Sequence, residues 1–302
     1  MTGTDVDLVR LPALEPAPVE AGGVRVAGRG RLTRVRSWLR APGALLSAVF
    51  LLLVICWAAV PSLFAPFDPV SDLDRAATLA GPSAEHWFGT DALGRDVYSR
   101  VVHGARLSML AAGLAVSISV TAGAVLGVLA GYVGRWLDSV LMRTVDVLVA
   151  IPGLLLSMVV VSMLGFGVVN VAVAVGVAGI PGFARIVRAE TLRILSRPYL
   201  DAARTSGLGH VAIMVRHVLP NASGAIAVLA ALELGGAILA VSALSFLGFG
   251  AVPPTPEWGA LVNDGRGYIA SAWWLTSLPG AVIAATVIAI NRLSREIGVV
   301  QR

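Results

Sequence analysis

The chain has 302 residues, of which 57% are hydrophobic and only 14% charged, with a formal net charge of +5 and a mean hydropathy of +0.82. Soluble domains carry about 25% charged residues, so this composition excludes an ordinary water-soluble globule and places the chain in lipid. The single Cys56 excludes an intrachain disulfide, and the basic excess would suit nucleic acid only if the arginines clustered for it, which they do not.

Residues 1–42 are rich in Pro, Gly and Arg with few large apolar side chains. Such a stretch cannot bury a core and is expected to be a disordered cytoplasmic tail. Six apolar segments then follow, at about 43–64, 107–132, 141–164, 168–187, 222–247 and 277–293. Each approaches the roughly 20 residues that a helix needs to cross a bilayer. The first runs past the usual length of a signal-peptide core and reads as an uncleaved anchor. The expected organisation is a first transmembrane helix over 43–64 and an extracytoplasmic loop over 65–106. A core of five transmembrane helices over 107–297 and a short cytoplasmic tail over 298–302 complete it. The fold class is an all-α integral membrane protein.

The arginines orient it. Seven precede the first span, two lie in 133–143, six in 185–216 and three in 292–302. The opposite loops hold only Arg75, Arg95, Arg100, Arg106 and Arg266 beside eight acids. By the positive-inside rule, both termini and the insert at 198–220 lie in the cytoplasm. The same excess favours anionic lipid headgroups as the partner surface.

The insert reads "DAARTSGLGHVAIMVRHVLPN" over 201–221. Pro198 suits the first turn of a helix, and Asp201 in that turn favours the positive end of the helix dipole. Ala202 and Ala203 keep one face low, and Gly207 can take the left-handed conformation that ends a short helix. A second helix over about 210–218 would stripe Val211, Met214 and Val218 on one face, with Pro220 opening the next span. The plain alternative is an interfacial connector between spans.

This stretch resembles the coupling loop of ABC-importer permeases, whose pattern is E-A-A-x-x-x-G followed about a dozen residues later by L-P. Asp201, Ala202, Ala203, Gly207, Leu219 and Pro220 fit it, with Asp for Glu at the first position. "FGTDALGRDVYSRVVHGARLSM" (88–109), "GYVGRWLDSVLMRTVDVLVAIP" (131–152) and "LSFLGFGAVPPTPEWGALVNDGRGYI" (244–269) are similar to segments in the same order in C-type permeases of the dipeptide, oligopeptide and nickel importers. The chain departs from many of these at its end, "NRLSREIGVVQR", and at Val241, where some carry an acid. The resemblance implies a six-helix, MetI-like permease fold of type I. Its coupling helix would dock on an ATPase through Asp201, Ala202, Ala203, Gly207 and Leu208. It also implies a homologous second permease, two cytoplasmic ATPases that hold the ATP and Mg, an extracytoplasmic substrate-binding protein, and no cofactor on this chain. Location in a bacterial cytoplasmic membrane follows, with a peptide or related small solute as cargo.

The remaining candidates divide between packing and chemistry. Gly123, Gly127 and Gly131 recur every four residues, the spacing that lets helix backbones approach closely. Arg143 and Asp146, three apart, could pair along one helix face. Glu233 lies well inside the fifth apolar run, where an acid is costly and therefore a candidate for the transport pathway. It could also be half of a buried ion pair, or, in a self-sufficient ion-driven carrier, a proton relay. Trp258, Trp273 and Trp274 read as aromatic-belt anchors. His86, His103, His210 and His217 form no metal-ligand pattern. No G-x-x-x-x-G-K-[ST] or H-E-x-x-H is present, so the chain carries no P-loop or zinc-protease site of its own, and no catalytic residue is expected.

Overall fold

The computed structural model describes residues 42–300. Within that range the side chains of residues 42, 201–204, 210 and 297–300 lie outside the description, and so does the tail expected over 1–42 apart from its last residue. Among the described residues no strand forms, and the one ladder contact is an isolated bridge between Thr90 and Asp96. The chain is all-helical.

In chain order the helices are α1 (Pro42–Ala59), α2 (Val97–Val133), α3 (Arg135–Val149), α4 (Gly153–Leu164) and α5 (Val168–Leu195). They continue as α6 (Pro198–Thr205), α7 (His210–Ile213), α8 (Leu219–Phe246), α9 (Trp258–Gly265) and α10 (Trp274–Val300). Helices α2, α5, α10 and the run from α7 through α8 are long and apolar enough to cross a bilayer. Helices α3 and α4 are apolar enough only as a pair, bent by 94° at their junction, which makes a fifth crossing if the two count as one span, and α1 is apolar but shorter.

Three of the expected segments change shape. The second span begins at Val97 rather than near 107, because the Asp96 carboxylate accepts the Ser99 amide at 2.7 Å and caps the helix early. Its first turns, rich in charge, are sheathed by protein: Val97, Arg100, Val101, Val102 and Ala105 are all buried. The third span is broken at Ala150–Pro152, where proline cannot donate to the ladder. The fifth does not start at Pro220. Residues Met214–Val218 form a π-helical turn that joins α7 to α8 without a break, and Pro220 follows two residues after that wider turn, inside the continuous helix.

The π turn also corrects the expected stripe. Val211 is 70% exposed, whereas Ile213 and Val218, five residues apart, are buried with Ala222. A wider turn adds one residue to the repeat, so a search at 3.6-residue spacing picks the wrong face.

Helices α2 and α5 pack along most of their length and form the centre. Helices α8 and α1 pack on α2, α10 packs on α8 and α1, and α3 and α4 lie on α5. Lipid gives helices no hydrophobic reason to associate, so close backbone approach must supply the contact. A β-carbon on Gly127 would stand 2.6 Å from the Ala184 carbonyl oxygen and 2.9 Å from the Arg188 nitrogen. One on Gly131 would stand 2.9 Å from Thr191 Cβ, and one on Gly123 would overlap Phe183. The three glycines therefore face α5 of this same chain.

Candidate functional site

Two regions hold the residues that the sequence singled out. The first is the insert between α5 and α8. Pro198 opens α6, which runs through Asp201, Ala202 and Ala203 to Thr205. The side chains of those three residues fall outside the described ones. Gly207 then reverses the chain at φ +82°, with nothing within 4 Å of where a β-carbon would sit. The demand there is on backbone conformation, not on space.

The short helix is held by a small core of its own. Leu200 is buried with Ile194 at the end of α5, Ile213 in α7, Val218 in the π turn and Ala222 in α8. Leu208, Tyr132 and Ile226 pack on that cluster. At its edge the Tyr199 ring lies 6.1 Å from the His217 ring, and the Asn221 amide donates to the His217 carbonyl at 2.6 Å and to the Tyr199 hydroxyl at 3.3 Å. So α6 is pinned to the end of α5 and to the start of α8.

Helix α3 is tied to α5 just above this point. Arg188 grips the Asp138 carboxylate with two nitrogens, each at 2.5 Å, and Arg185 meets Asp146 at 2.7 Å. The expected Arg143–Asp146 pair is therefore not what forms: Asp146 turns across to α5, where an arginine of the neighbouring helix reaches it first.

The second region is a cavity of about 330 Å³ at the bend between α3 and α4. Leu148, Val149, Ile151 and Gly153 line it from the bend, Ala178, Gly179, Pro181, Gly182, Phe183 and Ile186 from α5, and Leu229, Leu232 and Glu233 from α8. Glu233 stands near the middle of α8, and a β-carbon on Gly179 would lie 3.7 Å from its Oε1. No lining residue carries a positive charge, and no ion pair or hydrogen bond joins Glu233 to any described residue.

A third region, on the outer side by the arginine count, escaped sequence reasoning. Asp91 accepts from Arg95 Nε at 2.7 Å and from Arg100 Nη1 at 2.8 Å, and Arg100 reaches toward Asp264 at 3.7 Å. Glu257 is fully buried at the start of α9, where it accepts from the Gly259 and Ala260 amides and from the Ser108 hydroxyl at 3.0 Å. Burial pushes the Glu257 carboxyl above its usual range, and those hydrogen bonds oppose the rise. Burial likewise raises Asp264, against the pull of Arg100. The signal in sequence was an acid directly before a "WGALVNDG" helix, which reads as an N-cap.

This region also overturns two of the expected belt anchors. Trp258 and Trp274 are buried, with Trp258 Nε1 donating to the Val101 carbonyl at 2.9 Å and Trp274 Nε1 to the Thr90 carbonyl at 3.2 Å. Trp258 ties α9 to α2 and Trp274 ties α10 to the loop before α2; of the three, Trp273 stays exposed. An indole nitrogen finds a backbone acceptor as readily as it finds headgroups.

Residues 123–295 match the family model described as "Binding-protein-dependent transport system inner membrane component". The chain belongs to this family. It is 40% identical over 258 residues, 85% of its length and 86% of the relative's, to the glutathione transport system permease protein GsiD of Pectobacterium atrosepticum. It is 42% identical over 258 residues, 85% of each chain, to GsiD of Escherichia coli O6:K15:H31. It is 40% identical over 261 residues to the di/tripeptide transport system permease protein DppC of Pseudomonas aeruginosa, covering 85% of this chain and 86% of that one. Its fold is similar to a chain of the MetNI methionine ABC transporter, with a TM-score of 0.56 at 20% identity over 67% of this chain and 96% of that one. The chain is thus an inner-membrane permease component of an ABC importer with a MetI-like fold. That membership sets aside the self-sufficient ion-driven carrier.

Proposed function

We propose that this permease imports peptides or closely related small solutes and that residues 198–208 take the stroke from a cytoplasmic ATPase. The relatives' names, glutathione and di/tripeptide permeases, support the cargo class. A homologous second permease completes the pathway, two ATPases supply hydrolysis of Mg-bound ATP, and an extracytoplasmic binding protein delivers the solute. Both termini and the insert face the cytoplasm, as the arginine distribution requires. Glu233 belongs to the pathway, and Asp201, Ala202, Ala203, Gly207 and Leu208 belong to the docking element.

The observation that carries the reading is the private core under α6. An eight-residue helix has little stability alone. Here buried Leu200, Ile213 and Val218 fix it to the ends of α5 and α8. A connector needs no such anchoring; a part that transmits force does. Closure of the ATPases moves α6, α6 moves the cytoplasmic halves of α5 and α8, and both line the cavity that holds Glu233.

Gly207 supplies the test. Its φ of +82° disfavours a β-branched side chain by about 1–2 kcal/mol or more, whereas asparagine tolerates that region. Gly207→Val should insert normally but retain the ATPases poorly on co-purification, or leave their hydrolysis uncoupled from uptake. Gly207→Asn should stay near wild type. Wild-type coupling in the valine variant would defeat the assignment.

A further inference from the structure

The cavity beneath the α3–α4 bend is built to receive hydrogen-bond donors. Its charged group is one carboxylate, Glu233, and its remaining walls are leucine, valine, isoleucine, phenylalanine and glycine or alanine backbone, with Pro181. Pro181 lies inside α5 and has no N–H to give, so the Val177 carbonyl one turn earlier loses its helical donor. No arginine or histidine lines the space. A carboxylate placed among apolar walls near mid-helix is costly unless something positive meets it, and nothing in the described chain does. At about 330 Å³ the space falls at the lower end of small-molecule sites, enough for the end of a ligand rather than a long peptide.

We infer that this cavity is a transit site for a protonated primary amine, the α-ammonium of the cargo, with Glu233 as its counter-ion. A primary ammonium offers one positive charge and three donors, and the Glu233 carboxylate offers two acceptor oxygens with the opposite charge. The low polarity of the walls strengthens the attraction relative to water. Gly179 lines the same space: a β-carbon there would clash with Ser119 Oγ of α2 and come into contact with Glu233 Oε1 at 3.7 Å. The inference deepens the reading of the chain as a peptide permease and rests on it.

Two experiments separate the inference from that reading. In the complete transporter reconstituted with its ATPases and binding protein, Glu233→Gln should cut maximal uptake of trialanine about tenfold or more. Half-saturation by loaded binding protein and the stimulated ATPase rate should be unchanged, and Glu233→Asp should recover part of the uptake. Wild-type uptake in Glu233→Gln would overturn the inference, and so would loss of complex assembly in both variants, which marks a structural acid. The second experiment needs no transported peptide. Dicyclohexylcarbodiimide, which modifies acids in apolar surroundings, should label Glu233 in the purified transporter, and ethylammonium chloride should protect it while equal sodium chloride does not. Equal protection by sodium would reassign the site to an inorganic cation, and no labelling or no protection would sink it. Protection by ethylammonium without any trialanine uptake in the wild type would leave the site standing and remove the peptide cargo instead.

Discussion

Gly127 offers the cleanest test of what holds α2 on α5. A β-carbon there would stand 2.6 Å from the Ala184 oxygen, 2.8 Å from Val187 Cβ and 2.9 Å from the Arg188 nitrogen. Comfortable contact between such atoms is about 3.5–4.0 Å, so the helices must part by nearly 1 Å, which forfeits up to about half the dispersion well of every contact nearby. Overpacking of this kind costs about 1–3 kcal/mol. Alanine returns up to about 1 kcal/mol through helix propensity, leaving a net loss of up to about 2 kcal/mol. On a scale of about 2–4 °C per kcal/mol, Gly127→Ala should melt up to roughly 8 °C below wild type. Gly113, on the same helix, has nothing within 4 Å of its β-position. Gly113→Ala gains the propensity without the clash and should melt at or slightly above wild type. The assay is thermal denaturation of the purified permease in detergent, at one scan rate because membrane proteins unfold irreversibly. If the two variants melt together, or Gly127→Ala is the more stable, close backbone approach is not what joins α2 to α5.

Two further outcomes follow from the ion pairs and the buried acid. A double-mutant cycle on Asp138→Ala and Arg188→Ala should give about 0.5–1 kcal/mol of coupling, because the contact is two-pronged and partly shielded. The same cycle on Asp146 and Arg185, whose side chains are 64% and 52% exposed, should give close to zero, and equal values would contradict the geometry. Glu257 has its pKa raised in the fold above 4.5, so between the two values the native state holds more protons than the unfolded one. Its contribution to stability is therefore full at low pH and declines as pH rises through the folded pKa. Melting curves across pH should show a shallower decline in Glu257→Gln than in wild type, and parallel profiles would count against a perturbed Glu257.

Much of this architecture was legible because lipid imposes a simple code. Long apolar runs must be helices, since no water is present to satisfy the backbone, and the glycine spacing at 123, 127 and 131 marked a close-packed face before any partner was known. The turn at Gly207 was readable for a related reason, that one residue type tolerates positive φ best. What the sequence hid were the places where two demands compete. Arg95, Arg100 and Arg106 looked like the end of a span, yet the helix runs through Arg100 and Arg106 because Asp91 and Asp264 neutralise the arginine that a hydropathy reading counts as foreign. Asp146 had a local partner at the right spacing and took a distant one. The buried pair Ile213 and Val218 fell out of phase with any regular helix, since a π turn leaves no mark in composition. Tryptophans 258 and 274 carried no sign of whether their nitrogens would meet a headgroup or a carbonyl.

The right-angled break after α3 also has a meaning for the membrane itself. Helix α4 has 12 residues and rises about 18 Å, while a hydrocarbon core is about 30 Å deep. Set at 94° to it, α3 runs crosswise beneath, and a helix with its side chains is about 10–12 Å thick. Length plus thickness therefore fills the depth that neither helix fills alone. A pair bent in this way spans the depth only where α4 stands along the bilayer normal, and the crosswise piece then presents the girth of a helix, with Trp136 and Val147 exposed on it.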